Sequence, residues 1–131
     1  LICSEKFKEP QSYMVAFDGS KTAINAIHVL AKSNLLKGLQ GHIVMVGHHN
    51  EASKKSLDNA AAHLQAAGFS VDTHQLLELD AVEGLLSFQF ENNIDIIVVG
   101  AYGRSKLQHL FLGSTTTEII ASTLSPVILV R

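Results

Sequence analysis

The chain has 131 residues, of which 47% are apolar and 17% charged, and its 10 basic and 12 acidic side chains leave a net charge of −2. That length suits one domain able to bury a core without staples; the composition excludes intrinsic disorder, and the charge balance gives no electrostatic case for nucleic acid. The single cysteine, Cys3, excludes an intrachain disulfide and suits a reducing compartment, and the longest apolar stretch, from Ile96 through Gly100 to Tyr102, is too short to cross a bilayer.

Tyr13–Phe17 (YMVAF) is a short apolar run that ends at once in Asp18-Gly19, as a buried strand entering a turn does. Ser20 follows as an N-cap, its hydroxyl placed to accept a free amide of the first helical turn. Ala23, Ile24, Ile27, Leu30 and Ala31 recur at helical spacing, and the helix they define is expected to stop near Gly38. His42–Gly47 (HIVMVG) is a second strand. Leu57, Ala60, Ala61, Leu64 and Ala67 mark a second helix, with Gly68 where a left-handed C-cap is needed. Phe69–Leu77 alternates in part, as an outer strand does.

Asp80 and Glu83 stand at capping-box spacing for a third helix, which would bury Val82, Leu85, Leu86 and Phe90. Ile94–Gly100 is apolar enough to be a strand buried on both faces. Thr115 and Glu118 offer another capping box, for a fourth helix through Ile119, Ile120 and Leu124. Pro126 ends that helix, and Val127–Val130 is the last strand.

Strands alternating with helices in this way imply an α/β domain on a parallel sheet, with right-handed crossovers placing helices on both faces. In such sheets ligands bind beyond the carboxyl ends of the strands, where the strand order reverses. Asp18-Gly19-Ser20 follows the first strand. Gly100-Ala-Tyr-Gly103-Arg104 follows the fourth, and Gly113-Ser114-Thr115 comes after a run carrying Leu107, Leu110, Phe111 and Leu112. Gly113 directly precedes a helix N-terminus, whose unpaired amides and positive dipole end suit an anion. Glycine lets backbone approach phosphate oxygens, Ser114 and Thr115 add hydroxyl donors, and Arg104 adds a permanent charge. The plainer alternatives are turn glycines, a solvated Arg104, and an Asp18 favoured by the helix dipole by ~0.3–1 kcal/mol.

His48-His49 has no further ligand at supporting spacing apart from Glu51, so no metal site is expected. His28, His63 and His109 read as scattered surface residues, and Lys54-Lys55 as a solvated helix start. No Walker A loop, nucleophile elbow or phosphate-side general base is present, so no catalytic residues are expected and any phosphoanhydride hydrolysis should be slow. A phospho-receiver domain shares the alternating plan. Asp80 sits near its acceptor position, but the acidic pair after the first strand and the lysine after the last are missing.

Gly100-x2-Gly103-x9-Gly113-Ser114 resembles the nucleotide-binding pattern of the universal stress proteins, in the branch that binds ATP. Tyr13–Ala23, His42–Val46 and Ser125–Val130 resemble that family's first strand with its acidic turn, its second strand and its last. The resemblance implies a three-layer α/β/α, Rossmann-like fold with a five-stranded parallel sheet in the order 3-2-1-4-5. It implies ATP as ligand, with Mg²⁺ accompanying the phosphates. Asp18 would contact the ribose or adenine edge, Ala16 and Phe17 would line the adenine pocket, and Val46 would offer backbone groups. Gly100, Gly103 and Arg104 would wrap the phosphates from one side, and Gly113, Ser114 and Thr115 would hold them from the helix N-terminus.

The function implied is a cytoplasmic stress-response sensor or switch that works by nucleotide occupancy, without membrane or nucleic-acid partners. The alternative within the family is a dimerisation module that has lost nucleotide binding. The family commonly pairs its last strand, here Val127–Val130, with a twin, which implies a homodimer or an intrachain pseudo-dimer. Leu1–Cys3 resembles the end of such a strand, and these domains often occur in tandem. Residues 1–12 are therefore expected to be a remnant or linker from a preceding domain, and 13–131 a universal stress domain that is the second copy.

Overall fold

A computed structural model describes residues 9–47, 50–77, 81–100 and 127–130. The elements are β1 (Ser12–Ala16), α1 (Lys21–Lys32), β2 (Gln40–Val46), α2 (Glu51–Ala66), β3 (Ser70–Leu76), α3 (Ala81–Glu91), β4 (Ile96–Gly100) and β5 (Val127–Val130). The strands β3-β2-β1-β4 form the body of a parallel sheet, and β5 pairs parallel with β4 to give the order β3-β2-β1-β4-β5. β1 is flanked by β2 at Ala16↔Val44 and by β4 at Ala16↔Val99. The chain leaves β1 towards one neighbour and later returns to the other, so the order reverses there.

Strand side chains alternate between two cores. Tyr13, Val15, Ile43, Met45, Val71 and Val98 face α1 and α2, where Ile27, Leu30, Leu57 and Leu64 cover them. Met14, Val44, Ile97 and Val99 face the other way, against Leu85 and Phe88 of α3. β4 is buried from Ile96 to Val99, as a central strand with helices on both sides must be. The described residues thus form an α/β domain with helices on both faces of a parallel sheet.

Two expectations are corrected. α1 stops at Lys32, not near Gly38. Ser33 takes an extended conformation and its hydroxyl accepts the Leu35 N–H at 3.0 Å, a local bond that competes with helix continuation. Leu36 is buried within the following turn, which carries the chain to Gly38 at φ +96°. In α3 the buried aromatic is Phe88, whereas Phe90 is 80% exposed. Phe88 follows Leu85 by three positions and shares its face; Phe90 lies about 200° further round the helix and faces away. Leu86 is half-buried. Asp80 and the fourth helix lie outside the described residues.

Candidate functional site

At the carboxyl end of β1 the chain turns sharply into α1. Gly19 sits at φ +79°, a left-handed conformation that favours glycine. One Asp18 carboxylate oxygen, Oδ1, accepts the Ser20 N–H at 2.9 Å. Ser20 then caps α1, its Oγ accepting the Ala23 N–H at 3.2 Å, a cap worth about 1 kcal/mol. Asp18 is exposed at the tip of this turn. Its carboxylate therefore both orders the turn and stands at the sheet edge.

Gly100 ends β4 against the first turn of α1. A Cβ on Gly100 would lie 2.9 Å from the Thr22 carbonyl oxygen and 3.0 Å from its Cγ2. Thr22 belongs to the first turn of α1 and is itself buried. The missing side chain at Gly100 lets β4 approach the start of α1. The start of α1, which the Asp18 turn leads into, and the end of β4 are thereby brought together at the point of strand reversal.

Ala16 and Val46 are half-buried and pack against the α3-side core at the same end of the sheet. After Val46, Gly47 turns the chain at φ +109°, with its N–H donating to the Leu76 carbonyl at 2.9 Å. Phe17 is placed differently. Its ring is buried in the α1/α2 core, on the opposite face of the sheet from Ala16 and Val46. Its side chain points away from those of Ala16 and Val46, as adjacent strand residues do. Its backbone N–H is also occupied, donating to Val44 O at 2.9 Å. Gly103, Arg104, Gly113, Ser114 and Thr115 lie outside the described residues, as do His48, His49 and His109.

The remaining side chains of interest are histidines. His28 and His63 do not stand apart: their rings stack at 4.4 Å across α1 and α2, beside a cleft of about 310 Å³ floored by Phe17, Ile27 and Ala60. Lys54 pairs with Asp58 at 3.4 Å along the exposed face of α2. The residues that sequence reasoning missed are His42 and His74, whose ring nitrogens Nδ1 and Nε2 are 3.0 Å apart. Both lie within strands read from the sequence, but their meeting depends on the β2–β3 register, which the sequence does not spell out. Among the described residues, no helix is long and apolar enough to cross a membrane.

The strand order and the turn at its reversal define a doubly wound α/β domain with a candidate ligand site at the carboxyl edge, between β1 and β4. The chain belongs to the universal stress protein family, whose model matches residues 19–131. That membership replaces the phospho-receiver reading. Universal stress protein Slr1230 from Synechocystis sp. is 35% identical over 133 residues, which cover all of this chain and 46% of that protein. The chain spans about half the length of the curated relatives it matches. Among solved structures, a universal stress protein in complex with cAMP superposes with a TM-score of 0.77 at 21% identity, covering 95% of this chain and 98% of that one. A universal stress protein from Archaeoglobus fulgidus in complex with dAMP superposes with a TM-score of 0.71 at 20% identity, covering 92% and 98%.

Proposed function

We propose that this domain binds an adenine nucleotide at the carboxyl edge of the sheet, between β1 and β4, and acts in a stress response through occupancy of that site. The observation that carries the reading is the approach of Gly100 to Thr22 in the first turn of α1, the helix that the Asp18–Ser20 turn begins, at the place where open parallel sheets hold ligands. The cAMP and dAMP complexes of structurally similar family members support the ligand class. Within it we favour ATP with Mg²⁺. Asp18 serves the ribose or adenine edge, Ala16 lines the base, Val46 offers it backbone groups, and Gly100, Gly103 and Arg104 approach the phosphates. Gly113, Ser114 and Thr115 offer donors from a helix N-terminus. No residue in this set is suited to activate water, so the reading is a switch and not a turnover enzyme.

The test is the ATP affinity of the purified chain and of Gly113→Val, with mass spectrometry of nucleotide carried through purification. A valine at position 113 keeps backbone from phosphate, and a loss of affinity of about tenfold or more is expected, ~1.4 kcal/mol. Absence of measurable binding to the unsubstituted chain overturns the reading and leaves a dimerisation module.

The assembly we propose is a pair joined through β5, either a homodimer or two domains of one polypeptide, in the cytoplasm. In the second case residues 1–12 are a linker and 13–131 the second domain. The half-length match to the Synechocystis relative supports a longer protein, and the complete open reading frame decides between the two.

A further inference from the structure

Among the described residues β3 is an edge strand of the sheet, paired only with β2. In that pairing His42 stands opposite Asp72, and Val44 stands opposite His74. The two imidazoles are therefore diagonal neighbours on one face of adjacent strands. Their nitrogens approach to 3.0 Å, which requires one ring to donate an N–H and the other to accept it. Phe88 of α3 closes over both rings, at 5.7 Å from the His42 centroid and 4.6 Å from that of His74. β2, β3 and α3 thus meet on a single hydrogen-bonded pair of neutral side chains.

We propose that His42 and His74 form an acid-sensitive clasp: while at least one ring is neutral they hold edge strand β3 to β2 beneath α3, and protonation of both rings releases that edge. After one proton, the charged ring still donates to the neutral one; after the second, two donors face each other at hydrogen-bond distance, beneath an apolar ring. The charged group opposite the pair is Asp72, on β3 itself. α3 presents Phe88 to the rings, and its own acids, Glu83 and Glu91, are exposed. From β1, the neighbour of His42 is Met14, which carries no charge.

Partial burial, joined for His42 by the neighbouring imidazole, holds both rings below the ordinary histidine range, with Asp72 pulling the other way. The unfolded chain therefore binds protons first as pH falls. The stabilisation is complete above the ordinary histidine value of about 6.5 and is lost as pH falls through the lowered native values. Opening of the edge then rises by up to about tenfold per pH unit for each proton taken up.

The experiment is amide hydrogen exchange followed by mass spectrometry, corrected for intrinsic rates, between pH 7.5 and pH 5.5. Protection should fall in 70–76 and 81–91 while 12–16 keeps its protection, and the selective loss should vanish in His42→Gln/His74→Gln. Equal loss in all three segments, or no loss, overturns the clasp. Should the double variant not fold, imidazole ¹⁵N shifts of the unsubstituted chain decide. Two rings that titrate below the ordinary histidine range support the clasp, and rings that titrate at or above it overturn it.

Discussion

Tyr13 is wholly buried, and its hydroxyl is the one buried side-chain polar atom without a hydrogen-bond partner among the described residues. The ring reaches across β2 at Gly41, where a Cβ would collide with the Tyr13 hydroxyl and stand 2.7 Å from Val71 Cγ1. Gly41 thus opens the slot that the tyrosine fills. Burial alone pushes the phenol up to about 12. Tyr13→Phe should leave the fold at least as stable, by up to about 1–2 kcal/mol, because an unsatisfied buried hydroxyl costs about that much. The pH dependence separates this from a packing effect. The unfolded phenol ionises near 10 and the folded one about two units higher, so its contribution is complete below 10 and disappears as pH rises through the folded value. Urea titrations at pH 8 and pH 11 should show the phenylalanine variant gaining more at the higher pH. A loss of stability at pH 8 would mean that the hydroxyl has a partner after all.

At the level of elements, the contact between β4 and α1 does the most to form the candidate site. Gly100→Ala places a methyl group 2.9 Å from the Thr22 carbonyl oxygen. That neighbour is backbone in a capped first turn and cannot rotate away, so the helix start or the strand end must move. We expect a loss of about 1–3 kcal/mol in chemical denaturation, the usual range for overpacking. The effect should be accompanied by weaker nucleotide binding, since the Asp18 turn shifts with the helix. A variant of unchanged stability would show that this approach is loose. Most of the elements were legible in the sequence because each carries local punctuation or periodicity: Asp18-Gly19-Ser20 into α1, the Leu57–Ala67 spacing of α2, and Gly68 at φ +94° after it. The end of α1 was not, because Leu35 and Leu36 continue an apolar pattern through what is a turn. The face of Phe17 and the meeting of His42 with His74 were not, because both are settled by strand alternation and register, which join residues far apart in sequence.

For the whole molecule, the two edges of the sheet differ in kind. β3 carries Asp72, Thr73, His74 and Gln75, with Asp72 and Thr73 exposed, and a charged, polar edge discourages pairing with another chain. β5 is the four-residue run VILV, bonded to β4 from Ile97↔Val127 to Gly100↔Val130, with Ile128 packed against the α1/α2 core. An apolar edge invites a partner strand, so the proposed pairing of two domains should run through β5. Deleting Val127–Arg131 removes that strand and leaves β4, buried along its whole apolar length, as the new edge. Light scattering after size exclusion should then find a monomer or an aggregate where the unmodified chain forms a pair. A well-behaved dimer of the shortened chain would place the interface elsewhere. If nucleotide and β5 act together, ATP affinity should also fall in the shortened chain, because β5 is the outer neighbour of the strand that delivers Gly100.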